Sequence, residues 1–207
     1  MEKERIEWID TLKFLGIFSI YLGHLGSIPN NIRSFVFSYH VPLFFLISGF
    51  FNKKIELKEY FLFIKDSFKK YMYPYYFFTL ISLIYISIRN NSFSFNNFIY
   101  SITGIRNHVW GGLWFFSCLF IIKITYNLIL AIFKNKFIVF IISIFLYVIS
   151  MKYLPHIPRM NPKWVYNVDS AFFYIIFYSL GDILFDKFKN KFQSKYYIIL
   201  YYIVYLF

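Results

Sequence analysis

The stretch LWFFSCLFIIKITYNLILAIF, residues Leu113 to Phe133, contains a single charged side chain, that of Lys123. An α-helix needs about 20 predominantly apolar residues to cross a bilayer, and this stretch supplies them. The whole chain has the same character, because 59% of its residues are apolar, 26% are aromatic and only 15% are charged. Soluble domains are usually about half apolar and a quarter charged. The sequence therefore predicts an all-α integral membrane protein, a polytopic helical bundle.

Six apolar runs are long enough to predict full transmembrane helices. They lie near Leu12–Ile28, Val36–Phe51, Tyr71–Ile88, Leu113–Phe133, Phe137–Lys152 and Ser170–Phe185. A last run, from Tyr196 to Phe207, is too short to span, so we expect a partial seventh helix and a chain that is incomplete at its C-terminus. Residues 1–207 are expected to form one transmembrane domain.

The basic residues alternate between the two ends of these helices. The chain carries 22 Lys and Arg against 10 Asp and Glu, a net charge of +12 that would suggest nucleic-acid binding in a soluble protein. Here most of the basic residues lie between apolar runs, in the N-terminal segment and in the second, fourth and sixth connections. The positive-inside rule therefore predicts a multi-pass protein of the cytoplasmic membrane with its N-terminus in the cytoplasm. Because the basic residues are explained by this topology, no nucleic-acid partner is expected.

The segment Ile55 to Lys70 has apolar residues at helical spacing with lysines elsewhere on the helix. Two interpretations remain open: an amphipathic helix lying flat on the inner leaflet, and an ordinary cytoplasmic connector. The only cysteine, Cys118, excludes an intramolecular disulfide, and nothing in the sequence suggests a metal site.

Ionisable residues in a spanning helix are costly and indicate a partner or a function. Lys13 and His24 are eleven residues apart, which places them on nearly the same helix face with a rise of roughly 16 Å. Asp10 lies within one turn of Lys13. This stripe predicts a polar track from the cytoplasmic mouth to a histidine deep in the outer half, although Lys13 alone would also be explained by snorkelling to the interface.

A second cluster surrounds His40, which precedes Pro42 in a stretch where proline suits the first turn of a helix. His24 and His40 flank one short outer turn and are therefore expected to face a shared cavity. An interfacial histidine remains the alternative for His40, and an interfacial belt residue remains the alternative for Trp114.

Together these residues resemble the membrane acyltransferase-3 family, in particular its fucose 4-O-acetylase-like branch. The Lys13 to His24 spacing, which follows Arg5 through Leu12, matches the opening signature of the family. Further blocks that resemble it are His40 to Phe50, Lys69 to Tyr75, Leu113 to Phe116 and Asp169 to Gly181. Family members usually have about ten spanning helices, so the resemblance covers the chain but implies a missing final third.

The resemblance implies transfer of an acyl group, usually acetyl from cytoplasmic acetyl-CoA, to a sugar hydroxyl of a surface or lipid-linked glycan. Acetyl-CoA would act as a donor substrate and not as a permanently bound cofactor. Lys13, Asp10 and Arg5 would serve the donor site. His24 would be the general base and His40 would position the acceptor or polarise the carbonyl, although the sequence leaves open which histidine is the base. Trp114 and Ser48 would bind substrate, and the Trp114 ring would suit either a sugar face or the pantetheine arm of the donor.

Two other readings remain. In a transporter or flippase, the stripe from Lys13 to His24 would carry protons or substrate across the membrane and would not catalyse acyl transfer. In an inactive remnant, the helices would persist without a complete site.

Overall fold

A computed structural model describes residues 6–106 and 112–188, and every regular element within them is a helix. Seven α-helices and two single-turn 3-10 helices make up this part of the chain. The α-helices are α1 (Glu7–His24), α2 (Asn30–Phe50), α3 (Tyr60–Asn90), α4 (Phe95–Thr103), α5 (Trp114–Phe133), α6 (Lys136–Lys152) and α7 (Val168–Phe188). The 3-10 turns are Leu57–Glu59, before α3, and Val165–Asn167, before α7.

Four of these helical stretches are long and apolar enough to cross a membrane, namely Asn30–Phe50, Leu57–Asn90, Trp114–Phe133 and Val165–Phe188. The expectation of six full spans is thus confirmed only in part. The helix α1 carries Glu7, Asp10 and Lys13 among its 18 residues, and α6 has only 17 residues. At 1.5 Å per residue α6 is about 26 Å long, shorter than a hydrocarbon core of about 30 Å. The partial seventh span at Tyr196–Phe207 lies outside the described residues.

Several boundaries differ from the prediction. The segment from Ile55 to Lys70 is not a separate element, because a single helix runs without a break from Tyr60 to Asn90. Pro42 lies inside α2 and not in its first turn, because the helix already begins at Asn30 behind Pro29. Interior proline is tolerated in spanning helices. The short α4 was not predicted, since its nine residues are too few for a span.

Large apolar side chains remain exposed on the long helices. Phe61 is 87% exposed, Ile88 74% and Phe77 61%. In water such surfaces would drive aggregation, whereas lipid chains are the solvent that suits them. The fold is that of a helical membrane protein.

The first compact unit comprises residues up to Asn52 together with the part of α7 from Phe177 onward. Its core is Ile9, Ile47 and Phe50, covered by flanking residues of α1, α2 and the end of α7. The backbones of α2 and α7 meet at two glycines. A methyl group at Gly49 would overlap the carbonyl oxygen of Tyr178, and one at Gly181 would overlap the carbonyl oxygen of Leu46. Small residues allow this close approach, as is common between membrane helices.

The second compact unit comprises Lys53–Ile176. Its centre is α5, in which Cys118, Ile122 and Tyr126 are fully buried. The helix α3 is tied to its surroundings by tyrosine hydroxyls: Tyr75 donates to the Ser101 carbonyl at 2.9 Å and Tyr60 donates to the Ile124 carbonyl at 3.1 Å. Buried tyrosines need such a partner, so these bonds fix α3 against α4 and α5.

Serine hydroxyls within the helices donate to the backbone of their own helix. Ser19 donates to the Leu15 carbonyl at 2.7 Å, Ser101 to the Asn97 carbonyl at 2.6 Å and Ser143 to the Val139 carbonyl at 2.8 Å. Each bond spans four residues, so these hydroxyl groups are satisfied within their own helices.

The glycine contact generates the first prediction. We expect Gly49→Ala to lower the free energy of unfolding by roughly 1–3 kcal/mol, because the added methyl group meets backbone that cannot rotate away. Thermal unfolding of the purified chain in detergent would measure this. Gly26→Ala is the matched control, because nothing lies within 4 Å of a methyl group there. Equal unfolding midpoints for the two variants would contradict the proposed contact.

Candidate functional site

The polar stripe on α1 begins with an ion pair. The Lys13 ammonium lies 3.1 Å from a carboxylate oxygen of Asp10, three residues earlier on the same helix. The ammonium also lies 5.5 Å from the ring centroid of Phe51, at the end of α2. Both charged side chains remain partly exposed. The expected proximity of Asp10 and Lys13 is therefore present, while Arg5 lies outside the described residues.

His24 is the last residue of α1, and its side chain is exposed. Its ring lies 5.5 Å from the ring of Phe37 on α2. Because α1 is continuous from Glu7 to His24, Lys13 and His24 stay on nearly the same face, roughly 16 Å apart along the axis. The predicted stripe is thus supported by an unbroken helix.

His40 is buried on α2, with 6% of its surface exposed. Its Nδ1 lies 2.8 Å from the Val36 carbonyl oxygen. A carbonyl oxygen can only accept, so Nδ1 carries the hydrogen, and in a neutral ring the lone pair then lies on Nε2. The His40 ring packs edge-on against Phe37 at 5.2 Å. Phe37 therefore contacts both histidines, which the sequence predicted to face a shared cavity.

Ser48, the predicted substrate contact on α2, donates its hydroxyl hydrogen to the Phe44 carbonyl at 2.8 Å. That hydrogen is already committed to the helix backbone. The oxygen lone pairs leave Ser48 able to accept a hydrogen bond from a ligand.

Trp114, the other predicted substrate contact, begins α5 and is buried in the second unit. The Arg106 guanidinium lies over its ring, with 4.3 Å between Cζ and the ring centroid. The ring of Tyr174 lies 5.8 Å away. Trp114 and Arg106 line a small pocket together with polar residues of α3 and α4, among them Tyr75, Thr79, Tyr100 and Ser101. The structure thus places a cation against the ring that was expected to meet a substrate.

The environment of Arg106 is unfavourable for its charge. Burial lowers the pKa of the Arg106 guanidinium, and this is only partly offset by the nearby Tyr174 and Cys118, which raise it. This environment could not be predicted, because in the sequence Arg106 is only one of several basic residues in the expected outer connections. Contacts across a loop have no fixed spacing, so the pairing of Arg106 with Trp114 could not be read from the sequence.

Asn167 holds the loop that carries Arg106. It is fully buried, and its backbone adopts a left-handed conformation with φ of 57°. Its side-chain nitrogen donates to the Gly104 carbonyl at 2.7 Å and to the Ser117 hydroxyl at 2.8 Å. Its side-chain oxygen accepts from the Arg106 backbone N–H at 3.0 Å. One amide thereby connects the end of α4, the start of α5 and the turn before α7.

A buried histidine and carboxylate form a second polar cluster in the same unit. The Nε2 atom of His156 lies 2.6 Å from Oδ2 of Asp169, and both side chains are almost fully buried. The same oxygen accepts from the backbone N–H groups of Lys163 and Trp164, and Oδ1 accepts from the N–H of Ser170. Asp169 lies in the first turn of α7, but its contacts reach well beyond that turn.

The two units can do different chemistry. The first presents a lysine cation and an imidazole on one face of α1, which suits a phosphate-bearing donor and a proton transfer. The second presents an arginine stacked on a tryptophan beside several hydroxyl groups, which suits a polar or anionic ligand. No group of three or more His, Cys, Asp and Glu side chains able to hold a metal occurs within residues 6–106 and 112–188.

The helical fold and its long apolar helices define a membrane protein. The pattern of the acyltransferase domain matches residues 6–207, and the chain belongs to this acyltransferase-3 family. It is a membrane acyltransferase. Comparison with curated proteins and with solved structures gave no match.

The Asp169 cluster generates the second prediction. Both carboxylate oxygens accept hydrogen bonds, so an asparagine would direct its amide N–H groups toward a donor in either orientation. We expect Asp169→Asn to reduce the free energy of unfolding by about 3 kcal/mol, measured by denaturant unfolding in detergent. Asp66→Asn is the control, because Asp66 is exposed and should change stability by less than about 0.5 kcal/mol. An unchanged midpoint for Asp169→Asn would argue against the cluster.

Proposed function

We propose that this membrane acyltransferase moves acetyl from cytoplasmic acetyl-CoA to a hydroxyl of a sugar in a surface or lipid-linked glycan. The single observation that supports this most strongly is the unbroken helix α1, which carries Lys13 and His24 on one face. An ammonium at one end of the stripe suits the phosphates of coenzyme A. An imidazole at the other end suits proton transfer at an acceptor hydroxyl.

In this proposal the donor enters from the cytoplasm, where the positive-inside rule predicts the N-terminus. Lys13 binds the phosphates of acetyl-CoA, and Asp10 holds the ammonium in position through the 3.1 Å contact. Arg5 adds positive charge to the same mouth. The pantetheine arm extends along α1 and brings the thioester toward His24, which the rise of the helix separates from Lys13 by roughly 16 Å.

His24 acts as the general base. It accepts the hydroxyl proton while the sugar oxygen attacks the thioester carbonyl, and collapse of the tetrahedral intermediate breaks the carbon–sulfur bond. The proton then passes to the departing thiolate, giving the acetyl ester and coenzyme A. An exposed ring reaches a substrate more readily than a buried one, which favours His24 for this role.

His40 then serves as a positioning residue. Its ring is fixed by the Val36 carbonyl and packs on Phe37, which in turn supports His24. The Nδ1 contact and the packing on Phe37 hold the ring in one orientation beside the predicted site of transfer. In the same proposal, the hydroxyl oxygen of Ser48 accepts a hydrogen bond from the sugar that is acetylated.

A transporter using the same stripe has no role for coenzyme A. Protection of the purified chain against thermal unfolding by a non-hydrolysable acetyl-CoA analogue therefore discriminates between the two functions. Stabilisation by the analogue supports the acyltransferase proposal, and its absence together with uptake of a glycan precursor into vesicles would contradict it.

The base assignment gives the third prediction. We expect His24→Gln to lower kcat for glycan O-acetylation by roughly 10²- to 10⁴-fold with little change in KM, because only proton transfer is lost. The measurement is the initial rate of acetate transfer to glycan by isolated membranes with matched expression, over a range of acetyl-CoA concentrations, with the acetate released by mild alkali. Tyr21→Phe, an exposed change one turn earlier on α1, is the control and should acetylate normally. Full activity of His24→Gln would exclude it as the base, and loss of kcat in His40→Gln alone would move that role to His40.

The donor assignment gives the fourth prediction. We expect Lys13→Gln to raise KM for acetyl-CoA about tenfold or more while kcat changes little, because a charge-assisted bond to phosphate contributes about 1.5–3 kcal/mol. Initial rates over a range of acetyl-CoA concentrations would show this split. Lys58→Gln, a change at an exposed lysine before α3, should leave KM unchanged. A fall in kcat without a change in KM would place Lys13 outside the donor site.

A further inference from the structure

Arg106 is held in place from several sides. Its guanidinium stacks on Trp114, and its Nη1 donates to the Arg159 carbonyl. Its backbone N–H is fixed by the buried Asn167. A long flexible side chain immobilised in this way has already lost most of the entropy that binding a ligand would otherwise remove.

The charge of Arg106 has no partner of opposite sign in the described part of the chain. No carboxylate there forms an ion pair with it. The buried carboxylate of the same unit, Asp169, is occupied by His156 and three backbone N–H groups. A partly buried cation without a counter-charge is unfavourable, and an anion that reached it would remove that penalty.

One edge of the guanidinium carries a buried donor that no described residue uses. The Nε atom of Arg106 is buried and has no hydrogen-bond partner in residues 6–106 and 112–188, whereas Nη1 is engaged by Arg159. The Nε–H and the neighbouring Nη2–H point in parallel, a geometry that matches two oxygens of a carboxylate or a phosphate. Stacking on Trp114 occupies the face of the guanidinium and leaves this edge for an in-plane ligand.

The surroundings of the edge are polar. Arg106 and Trp114 line one pocket with four hydroxyl-bearing residues, Tyr75, Thr79, Tyr100 and Ser101. The hydroxyl hydrogens of Tyr75 and Ser101 are donated to carbonyl groups, so their oxygens remain as acceptors. Hydroxyl groups beside a cation are the usual complement of an anionic sugar, which brings both charge and hydroxyls. The positive-inside rule also predicts that Arg106 lies in an outer connection, the side on which the acceptor glycan is expected.

We infer that the Arg106 edge, in the pocket floored by Trp114, binds an oxyanion of the acceptor: a sugar carboxylate or a sugar-linked phosphate. This inference rests on the proposed function, because it names the class of acceptor for the same acyltransferase. It assigns Trp114 a different task from the one expected: the ring supports the arginine, and the arginine contacts the ligand.

A direct sugar-binding experiment tests the inference about Arg106 without acetyl-CoA and without catalysis. The purified chain in dodecyl maltoside is titrated at constant ionic strength with methyl β-D-glucuronide, with glucose 1-phosphate and with neutral methyl β-D-glucoside, and the tryptophan fluorescence is followed. We expect at least one anionic sugar to bind at least tenfold more tightly than the neutral one. Preference for the glucuronide identifies a carboxylate acceptor, and preference for glucose 1-phosphate identifies a phosphate-linked one.

Three variants locate the site. Arg106→Gln should weaken binding of the anionic sugar at least tenfold and bring it to the level of the neutral sugar. Arg106→Lys should retain only part of the affinity, because an ammonium keeps the charge but not the paired edge. Arg89→Gln, a change at an exposed arginine at the end of α3, should bind like the native chain. Near-ultraviolet circular dichroism reports whether each variant is folded.

Equal affinity of the native chain for charged and neutral sugars would overturn the inference, even if Arg106→Gln does not fold. Unchanged binding in a folded Arg106→Gln would also overturn it, as would full displacement of the sugar by phosphatidylglycerol, which would make a lipid headgroup the ligand. Because acetyl-CoA is absent, failure here leaves the acetyl transfer assays of His24 and Lys13 as an independent test of the proposed function.

Discussion

The contact on which the first unit depends is the one between backbones at Gly49 and Gly181. A side chain at either position would overlap a carbonyl oxygen of the neighbouring helix. In lipid there is no hydrophobic force to press helices together, so close packing must supply the attraction. The position of α2 follows from this contact, and α1 packs on α2 through Ile9, Ile47 and Phe50. Lys13, His24 and His40 all stand on these two helices.

The sequence predicted the long helices well because their signal is physical and local. A run such as Trp114–Phe133 is too apolar and too long for an aqueous surface, and the ends of the apolar run set the ends of the helix. The errors lie where that signal is weak. The segment Ile55 to Lys70 was compatible with a surface helix and with an ordinary connector, yet no proline or glycine interrupts the backbone between Tyr60 and Pro74, and one long helix runs through its greater part. The short α4 had no span-length signal at all.

The residues of the candidate site also fall into those that could be predicted from the sequence and those that could not. The Asp10–Lys13 pair and the stripe to His24 follow from helix geometry, so the sequence was sufficient to find them. The contact of both histidines with Phe37 was not predictable, because it depends on how α1 and α2 pack. Arg106, Asn167 and His156 were missed as functional or organising residues for a related reason. They act across loops, where sequence distance carries no information about distance in space.

The bonding of the serine hydroxyls has a consequence for biogenesis. A hydroxyl that already donates to a carbonyl of its own helix, as those of Ser19, Ser48 and Ser143 do, needs no neighbouring helix to satisfy its hydrogen. Each such segment can enter the lipid as an autonomous unit and find its partners later by diffusion in the plane. The choice of the neighbouring helix then depends on shape, as at the glycine contacts of α2 with α7, and on tyrosine hydroxyls that bond to another helix, as that of Tyr75 does. Insertion of the single helices into the membrane and their later packing against one another are therefore separate stages, and a substitution can impair one without the other.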